Sequence, residues 1–312
     1  MYTLNLEDVK SKDINLSGGK CKNTHELIQL GLNVPKAFCI TTLAYQKFIS
    51  FNKLASELQR LKNKYSSEKI NLTEYSSTIS SLFRNASIPP DIRSEISKKY
   101  SDLNLHKIAV RSSAILEDLN SASFAGQHET YLNVIGLKEL ETKIIDCWIS
   151  LWSEKSIKYR ENIHINEEND ISIAIMVQEM INSEVSGIIF TKNPINQKHE
   201  FLINSSYGLG ELIASGQVTP DTYVCDYESE EVINDFIGSK ENMMIYKDGV
   251  GNQIEEVPKN IREKQSLNDI QIKKITNIGK KIEQHYNSQP QDIEWTLSDG
   301  KIYVLQTRPI TT

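Results

Sequence analysis

The spacing of apolar residues changes near residue 170, and this change restricts the possible folds more than any other feature of the sequence. Over residues 137–162, apolar side chains recur every three or four positions, which predicts helix with one buried face. From residue 171 to residue 178 they alternate with small or polar residues, which predicts a strand buried mainly on its odd-numbered face. A helical part therefore precedes a strand-rich part, and the division falls within residues 169–180.

The remaining segments also separate into helices and strands. Helices are predicted over residues 43–64, 72–83 and 267–286, with another beginning at Pro89-Pro90, and the predicted caps pair Asn71 with Glu74 and Ser266 with Asp269. Strands are predicted over residues 185–191, 200–204 and 221–225, followed by a polar stretch over residues 227–263. Trp148 and Trp152 lie on the helical stripe and are predicted to be core residues. The predicted fold class is α+β, with lobes over residues 1–180 and 181–312.

Charge and cysteine content exclude several classes of protein. The chain has 35 basic and 41 acidic residues and a formal charge of −6, which argues against nucleic acid or an anionic membrane as partner. Its four cysteines are widely spaced without a Cys-x-x-Cys pair, so neither a disulfide framework nor a zinc site is predicted. No signal-like N-terminus or long apolar run occurs. We therefore expect a cytoplasmic protein.

The C-terminal segment is typical of a β-hairpin with one polar face. Two alternating runs, 292–295 and 303–306, flank Ser298-Asp-Gly300, which is a turn signal. If the loop has an odd number of residues, for instance three with Gly300 left-handed, even-numbered residues of both strands share a face. That face then carries Asp292, Glu294, Gln306 and Arg308, and the opposite face carries Ile293, Trp295, Tyr303 and Leu305.

The polar face of this hairpin is a candidate cation site. Carboxylates two residues apart on a strand point the same way, and their oxygen atoms suit a hard divalent ion such as Mg²⁺. Asp292 and Glu294 have this spacing. The alternative is a solvated sheet edge that carries ordinary acidic residues.

Arg111 is a candidate phosphate ligand. It ends a short apolar run, Ile108-Ala-Val-Arg111, and Ser112 and Ser113 follow it. A fixed guanidinium beside hydroxyl and backbone donors suits phosphate oxygens. The alternative is a structural ion pair with Glu117 or Asp118.

Lys20 is a second candidate phosphate ligand. It follows Gly18-Gly19, which allow the backbone to approach an anion closely while the ammonium supplies charge. The segment is not a Walker loop, because the first glycine of that motif is missing and Cys21 follows the lysine. A glycine turn beside a solvated lysine is the alternative.

These segments together resemble the nucleotide-binding domain shared by phosphoenolpyruvate synthase, pyruvate phosphate dikinase and rifampin phosphotransferase. The matching segments, in chain order, are Gly18-Gly-Lys20, Val34-Pro-Lys-Ala-Phe38 with Thr41-Thr42, residues 108–118, residues 122–134, Gln178-Glu-Met180, Ser186-Gly-Ile-Ile-Phe-Thr191, Tyr207-Gly-Leu-Gly-Glu211, Asp292-Ile-Glu-Trp295 and Gln306-Thr-Arg-Pro-Ile310. They cover nearly the whole chain. Any one of them alone would be a weak signal.

The resemblance implies a two-lobed ATP-grasp fold, with the nucleotide in the cleft between the lobes, and phosphoryl transfer from ATP with Mg²⁺. It implies catalytic roles for Lys20, Arg111 and Arg308. It implies nucleotide contacts for Lys20, Arg111, Gly126, Thr130, Gln178, Glu179, Met180, Ile181, Glu211, Gln306 and Arg308, and metal contacts for Asp292, Glu294 and Gln306. In the family, ATP yields AMP and phosphate while the β-phosphoryl group passes to a histidine on a separate domain.

A phosphoryl acceptor is the part that the sequence does not supply. None of the six histidines lies in a context like the family's phosphohistidine segment, and His128 is predicted to be a loop or phosphate contact. The expected partner is therefore a phosphohistidine domain, a separate subunit or a small-molecule acceptor. A non-catalytic nucleotide sensor and an ATP-grasp ligase that forms ADP remain the alternatives.

Overall fold

The computed structural model describes residues 1–9, 14–114, 130–162 and 171–310, and its contacts divide the chain into two units. The first unit comprises Met1–His25 and Lys36–Met180, and the second comprises Glu26–Pro35 and Ile181–Thr312. The short segment Glu26–Pro35 thus belongs to the second unit. The predicted division into residues 1–180 and 181–312 does not include this exchange. Both units contain helices and sheets, so the predicted α+β class is confirmed.

The first unit is built on an antiparallel sheet with helices packed against it. Its five strands lie in the order β1-β2-β5-β3-β4. The strands are β1 (Thr3–Asn5), β2 (Ala37–Ile40), β3 (Lys107–Ala114), β4 (Thr130–Ile135) and β5 (Ile173–Glu179). The helices, of which the first continues into the second unit, are α1 (Ile14–Gln29), α2 (Thr42–Phe51), α3 (Ala55–Ser66), α4 (Leu72–Arg84), α5 (Pro90–Asp102), α6 (Gly136–Ser150) and α7 (Glu154–Asn162).

Two long predicted helices are each interrupted. The predicted helix over residues 43–64 breaks between α2 and α3, where Asn52 donates its side-chain amide to the Phe48 carbonyl at 2.9 Å and Lys53 adopts a left-handed φ of 54°. The helix predicted over residues 137–162 likewise separates into α6 and α7. The core assignment holds nevertheless, because Trp148 and Trp152 are both buried.

Strand β5 is buried on both faces, whereas the sequence predicts burial mainly on the odd-numbered face. Every residue from Ile173 to Gln178 is buried. One face belongs to the main apolar cluster with α2 and α6. On the other, Met176 contacts Thr24 of α1, whose hydroxyl lies 3.4 Å from the Met176 sulfur. A central strand covered on both faces loses the simple alternation of a half-buried one.

The second unit is built on a larger antiparallel sheet. Its six strands lie in the order β13-β12-β6-β7-β8-β9, and β10 and β11 form a separate two-stranded sheet. The strands are β6 (Val185–Phe190), β7 (Glu200–Tyr207), β8 (Asp221–Asp226), β9 (Val232–Phe236), β10 (Asn242–Lys247), β11 (Gly251–Glu256), β12 (Gln291–Ser298) and β13 (Lys301–Pro309). The helices are α8 (Glu211–Ala214), α9 (Lys259–Arg262) and α10 (Asp269–His285). The polar stretch over residues 227–263 therefore contains three strands.

Helix α10 packs closely on this sheet. A Cβ added to Gly279 would lie 2.9 Å from Ile189 Cδ1, so the glycine permits the helix to approach β6. The predicted cap formed by Ser266 and Asp269 is wrong, because Asn268 and Gln271 form the capping box. Ser266 instead donates its backbone N–H and its hydroxyl to buried Asp221, at 2.7 Å each. In the part of the chain that the structure describes, no helix combines the length and hydropathy needed to cross a bilayer.

Candidate active site

The C-terminal hairpin has a two-residue turn rather than the odd loop predicted above. Ser298 pairs with Lys301, and Asp299 and Gly300 both have positive φ, of 48° and 69°. This even loop would place even-numbered residues of one strand opposite odd-numbered residues of the other. A β-bulge between the Glu294 and Trp295 pairs then restores the even-to-even register.

The bulge changes which residues form the apolar face of the hairpin. Trp295 pairs with Val304, and Ile293, beyond the bulge, pairs with Thr307. Ile302 and Val304 are therefore the core residues of β13. The prediction of Tyr303 and Leu305 as core residues is wrong, because it assumed one register along the whole hairpin.

The polar face nevertheless contains the four predicted residues. Asp292 lies opposite Arg308, and Glu294 lies opposite Gln306. Arg308 donates from Nε and Nη2 to Asp292 Oδ2, at 2.8 and 2.7 Å. Because one carboxylate oxygen receives both bonds, the other remains available to a ligand.

That second oxygen, Asp292 Oδ1, is buried and has no hydrogen-bond partner among the described residues. Burial raises the pKa of the Asp292 carboxyl, Arg308 opposes this effect, and the charge of Glu294 adds to it. A buried carboxylate oxygen without a partner, beside a second carboxylate, fits the oxygen-ligand chemistry of Mg²⁺. No group of three or more His, Cys, Asp or Glu side chains suited to a metal occurs in the described ranges.

In the first unit, the Gly-Gly-Lys segment docks directly on the strand that carries Arg111. Gly18 has a φ of 69°, and an added Cβ would lie 2.0 Å from the Ser113 carbonyl oxygen. The Ser113 hydroxyl donates to the Ser17 carbonyl at 2.9 Å and accepts from the Cys21 N–H at 3.2 Å. The close approach that this glycine allows is therefore to β3, and it fixes the position of Lys20 relative to that strand.

Arg111 lies on β3 between Thr130 of β4 and Met176 of β5. Its Nη1 donates to Gln178 Oε1 at 3.4 Å, and Gln178 is buried. The side-chain nitrogen of Gln178 has no hydrogen-bond partner among the residues described. Arg111 and Gln178 therefore lie side by side, and Gln178 retains a buried donor.

The segment after Gln178 uses its backbone donors within the first unit. The Glu179 N–H donates to the Lys36 carbonyl at 2.7 Å, and the Met180 N–H donates to the Lys107 carbonyl at 2.9 Å. Ile181 begins the C-terminal part of the second unit. An adenine contact by Glu179 or Met180 would therefore rely on carbonyl oxygens or side chains.

Glu211 is the first residue of α8, and its position depends on β10. The Leu209 N–H donates to the Met244 carbonyl at 2.9 Å, and a Cβ on Gly208 would lie 2.4 Å from that oxygen. Sequence reasoning missed Met244, which lies in the polar stretch. It also missed Ser113 as the docking point of Gly18, although the Ser-Ser pair after Arg111 was the available signal.

Some predicted residues lie outside the described residues, and two further histidines have structural partners. Gly126 and His128, and the alternative ion-pair partners Glu117 and Asp118, lie outside them. His25 bonds the Leu6 carbonyl at 2.7 Å, and His199 bonds Glu283 at 2.9 Å. These two histidines thus have structural contacts.

Comparison with known proteins identifies the family. The family model of the pyruvate phosphate dikinase AMP/ATP-binding domain matches residues 14–312. The chain belongs to this family. It is 41% identical to the probable phosphoenolpyruvate synthase of Archaeoglobus fulgidus, over 100% of this chain and 42% of that protein. It is 37% identical to the probable phosphoenolpyruvate synthase of Methanothermobacter thermautotrophicus, over 100% of this chain and 46% of that protein. It is 36% identical to the rifampicin phosphotransferase of Bacillus cereus, over 100% of this chain and 36% of the relative.

The resemblance inferred from the sequence motifs is thereby confirmed. This pyruvate phosphate dikinase AMP/ATP-binding domain spans between 26% and 46% of the length of relatives named phosphoenolpyruvate synthase. The remainder of each relative lies beyond the matched region.

Proposed function

We propose that the chain binds ATP and transfers a phosphoryl group in a dikinase-type reaction. In this reaction ATP, water and an acceptor yield AMP, phosphate and the phosphorylated acceptor, and the β-phosphoryl group is the one transferred. The family match over residues 14–312 carries the proposal. The hairpin supports it, because Asp292, Glu294, Gln306 and Arg308 share one face there.

The proposed residue roles follow from charge and donor chemistry. Lys20, Arg111 and Arg308 neutralise phosphate charge as catalytic residues. Further nucleotide contacts are assigned to Gly126, Thr130, Gln178, Glu179, Met180, Ile181, Glu211 and Gln306. Among these, the buried Gln178 nitrogen without a partner among the described residues best supports a ligand contact. The proposal includes an ATP-grasp arrangement, in which the nucleotide lies between lobes over residues 1–180 and 181–312.

Magnesium is the proposed metal. Asp292 and Glu294 would hold it, with Gln306 as a neutral oxygen ligand, and it would supply positive charge to the phosphates. The second oxygen of Asp292 supports this assignment, because burial without a partner is costly unless a ligand satisfies it.

The proposed phosphoryl acceptor is a histidine domain, a separate subunit or a small molecule. The proposed location of the protein is the cytoplasm. Phosphoryl transfer needs a nucleophile in line with the reacting phosphate. None of the six histidines lies in a sequence context like the family's phosphohistidine segment. We therefore expect the isolated chain to bind ATP and to turn it over slowly.

The adenine product tests this function. The chain is incubated with Mg-ATP, with and without a phosphohistidine domain from a relative, and the nucleotides are separated by chromatography. We expect AMP formation to increase strongly when the domain is added. Formation of ADP would indicate a ligase or simple kinase, and tight binding without turnover under either condition would indicate a nucleotide sensor. Rapid AMP formation without any acceptor, with stable phosphohistidine at His128, would contradict the need for a partner.

A further inference from the structure

A basic groove runs along the exposed side of α10 in the second unit. Two adjoining cavities, of about 590 and about 350 Å³, share Asn277 and Ile278 in their walls. The larger is bounded by Lys273 and Lys274 of α10 and Lys301 of β13. The smaller continues past Lys281. We call this surface the lysine groove.

The groove is long enough for a peptide. Its walls follow α10 from Ile270 to Gln284, which at 1.5 Å per residue is roughly 21 Å. That length accommodates about six residues of extended chain. The opposite wall includes Asn33 and Leu32, which belong to the same unit as α10.

Three of the five lysines that line the groove are available to a ligand. The other two have partners, because Lys280 pairs with Glu228 and Glu230 and Lys281 donates to the Leu30 carbonyl. Within the part of the chain that the structure describes, the ammonium groups of Lys273, Lys274 and Lys301 have no hydrogen-bond or ion-pair partner, and all three residues are exposed. Of the two acidic residues of α10, Glu283 is fully buried, and Asp269 is exposed at the first position of the helix. A chain with a net charge of −6 therefore presents a locally positive surface here.

The apolar walls distinguish the groove from a simple anion site. Ile270 is 69% exposed, and Ile278 and Ile302 also line the larger cavity. Isoleucine side chains beside ammonium groups match a ligand with both aliphatic and carboxylate groups. Among the described residues, neither arginine nor an aromatic ring lines either cavity, although stacked bases and bidentate phosphates favour those residues.

We propose that the lysine groove binds an acidic, leucine- or isoleucine-bearing peptide segment of a protein partner. Charge complementarity selects the acidic residues, and the isoleucine walls select the aliphatic ones. The proposal does not depend on ATP binding or phosphoryl transfer, so it is tested without nucleotide.

The probe is a fluorescein-labelled dodecapeptide of glutamate and leucine in a two-to-one ratio, followed by fluorescence anisotropy. We expect saturable binding that weakens as salt is added. The charge reversal Lys273→Glu with Lys274→Glu should raise Kd by about tenfold or more. The matched control, Lys259→Glu with Lys264→Glu, makes the same charge change at exposed lysines outside the groove and should raise Kd less than about twofold.

Two further measurements separate a peptide site from an anion site. Ile270→Ser should raise Kd for the glutamate-leucine peptide by about threefold, and it should leave unchanged any binding of a peptide in which serine replaces leucine. Lys301→Glu changes a residue of β13 and should also weaken peptide binding. It therefore tests the groove independently if the Lys273→Glu, Lys274→Glu variant does not fold. Equal affinity for the serine peptide, tripolyphosphate or an oligothymidylate would overturn the proposal, as would a wild-type chain that does not bind the peptide.

Discussion

The two units position their candidate residues in different ways. In the second unit, Asp292 and Arg308 face each other across a single hairpin. In the first unit, Lys20 and Arg111 lie on a helix and a strand that are distant in sequence, and they are joined through the contact of Gly18 with Ser113. In the hairpin, local strand register alone places the candidate residues opposite each other. In the first unit, their placement depends on tertiary packing at Gly18, where no side chain can be accommodated. A single added methyl group should therefore destabilise the first unit more than the hairpin of the second unit.

The largest expected effect is that of Gly18→Ala. The added Cβ meets the Ser113 carbonyl oxygen at 2.0 Å and the residue must keep a φ of 69°, so we expect a loss of about 2–4 kcal/mol in the free energy of unfolding. Gly31→Ala is the control, because Gly31 has the same φ but no atom within 4 Å of an added Cβ. It should cost about 1 kcal/mol. Urea unfolding measures both, and equal losses would contradict the close docking of Gly18.

Removing one carboxylate from the hairpin should affect function more than folding. Glu294→Gln replaces an anionic ligand by a neutral one of similar shape, and we expect the Kd for Mg-ATP to rise by about tenfold while the urea midpoint stays nearly unchanged. Glu263→Gln removes the same charge from an exposed residue of the second unit and should have little effect. Calorimetry with and without magnesium tests this, and an unchanged magnesium dependence would remove Glu294 from the metal site.

The same contrast explains what could be predicted from the sequence. The polar face of the hairpin was predictable because alternation fixes which residues share a face. The prediction held despite a wrong loop length, since the bulge at the Glu294 pair offset the even turn. Alternation does not signal a bulge, so Ile302 and Val304 were missed as core residues. Similarly, the burial of β5 on both faces and the role of Met244 depend on contacts between distant segments, which no local pattern records.

Arg111→Lys should separate rate from affinity in the first unit. Lysine keeps the charge but loses the planar fork, so single-turnover phosphoryl transfer should fall by about tenfold while the Kd for ATP changes by about twofold. Arg93→Lys, at an exposed ion pair with Glu141 in the same unit, is the matched control. Rapid-quench measurements give the rate, and calorimetry gives the affinity. Equal losses in both would indicate that Arg111 binds substrate and transition state alike.

The smallest expected effect is the pH dependence that Asp292 confers on the hairpin. Burial raises the pKa of its carboxyl, so the ionised form is lost at a higher pH than at an exposed aspartate, whose pKa is about 3.9. Magnesium-dependent ATP binding should therefore weaken as the pH falls through the raised pKa of the Asp292 carboxyl. The free energy of unfolding should change in the opposite direction, because a pKa that is higher in the folded chain than in the unfolded chain makes protonation favour folding.

Asp292→Asn is the reference for this pH measurement, because it cannot titrate at this position while the remaining acidic groups of the chain still do. The difference in unfolding free energy between the wild type and Asp292→Asn, measured by urea unfolding without ligand, should increase in favour of the wild type as the pH falls. The magnesium-dependent part of ATP binding, measured by calorimetry, should decrease over the same range in the wild type alone. A stability difference that instead decreased toward acid would mean that the Arg308 pair outweighs burial at Asp292 and holds its pKa low.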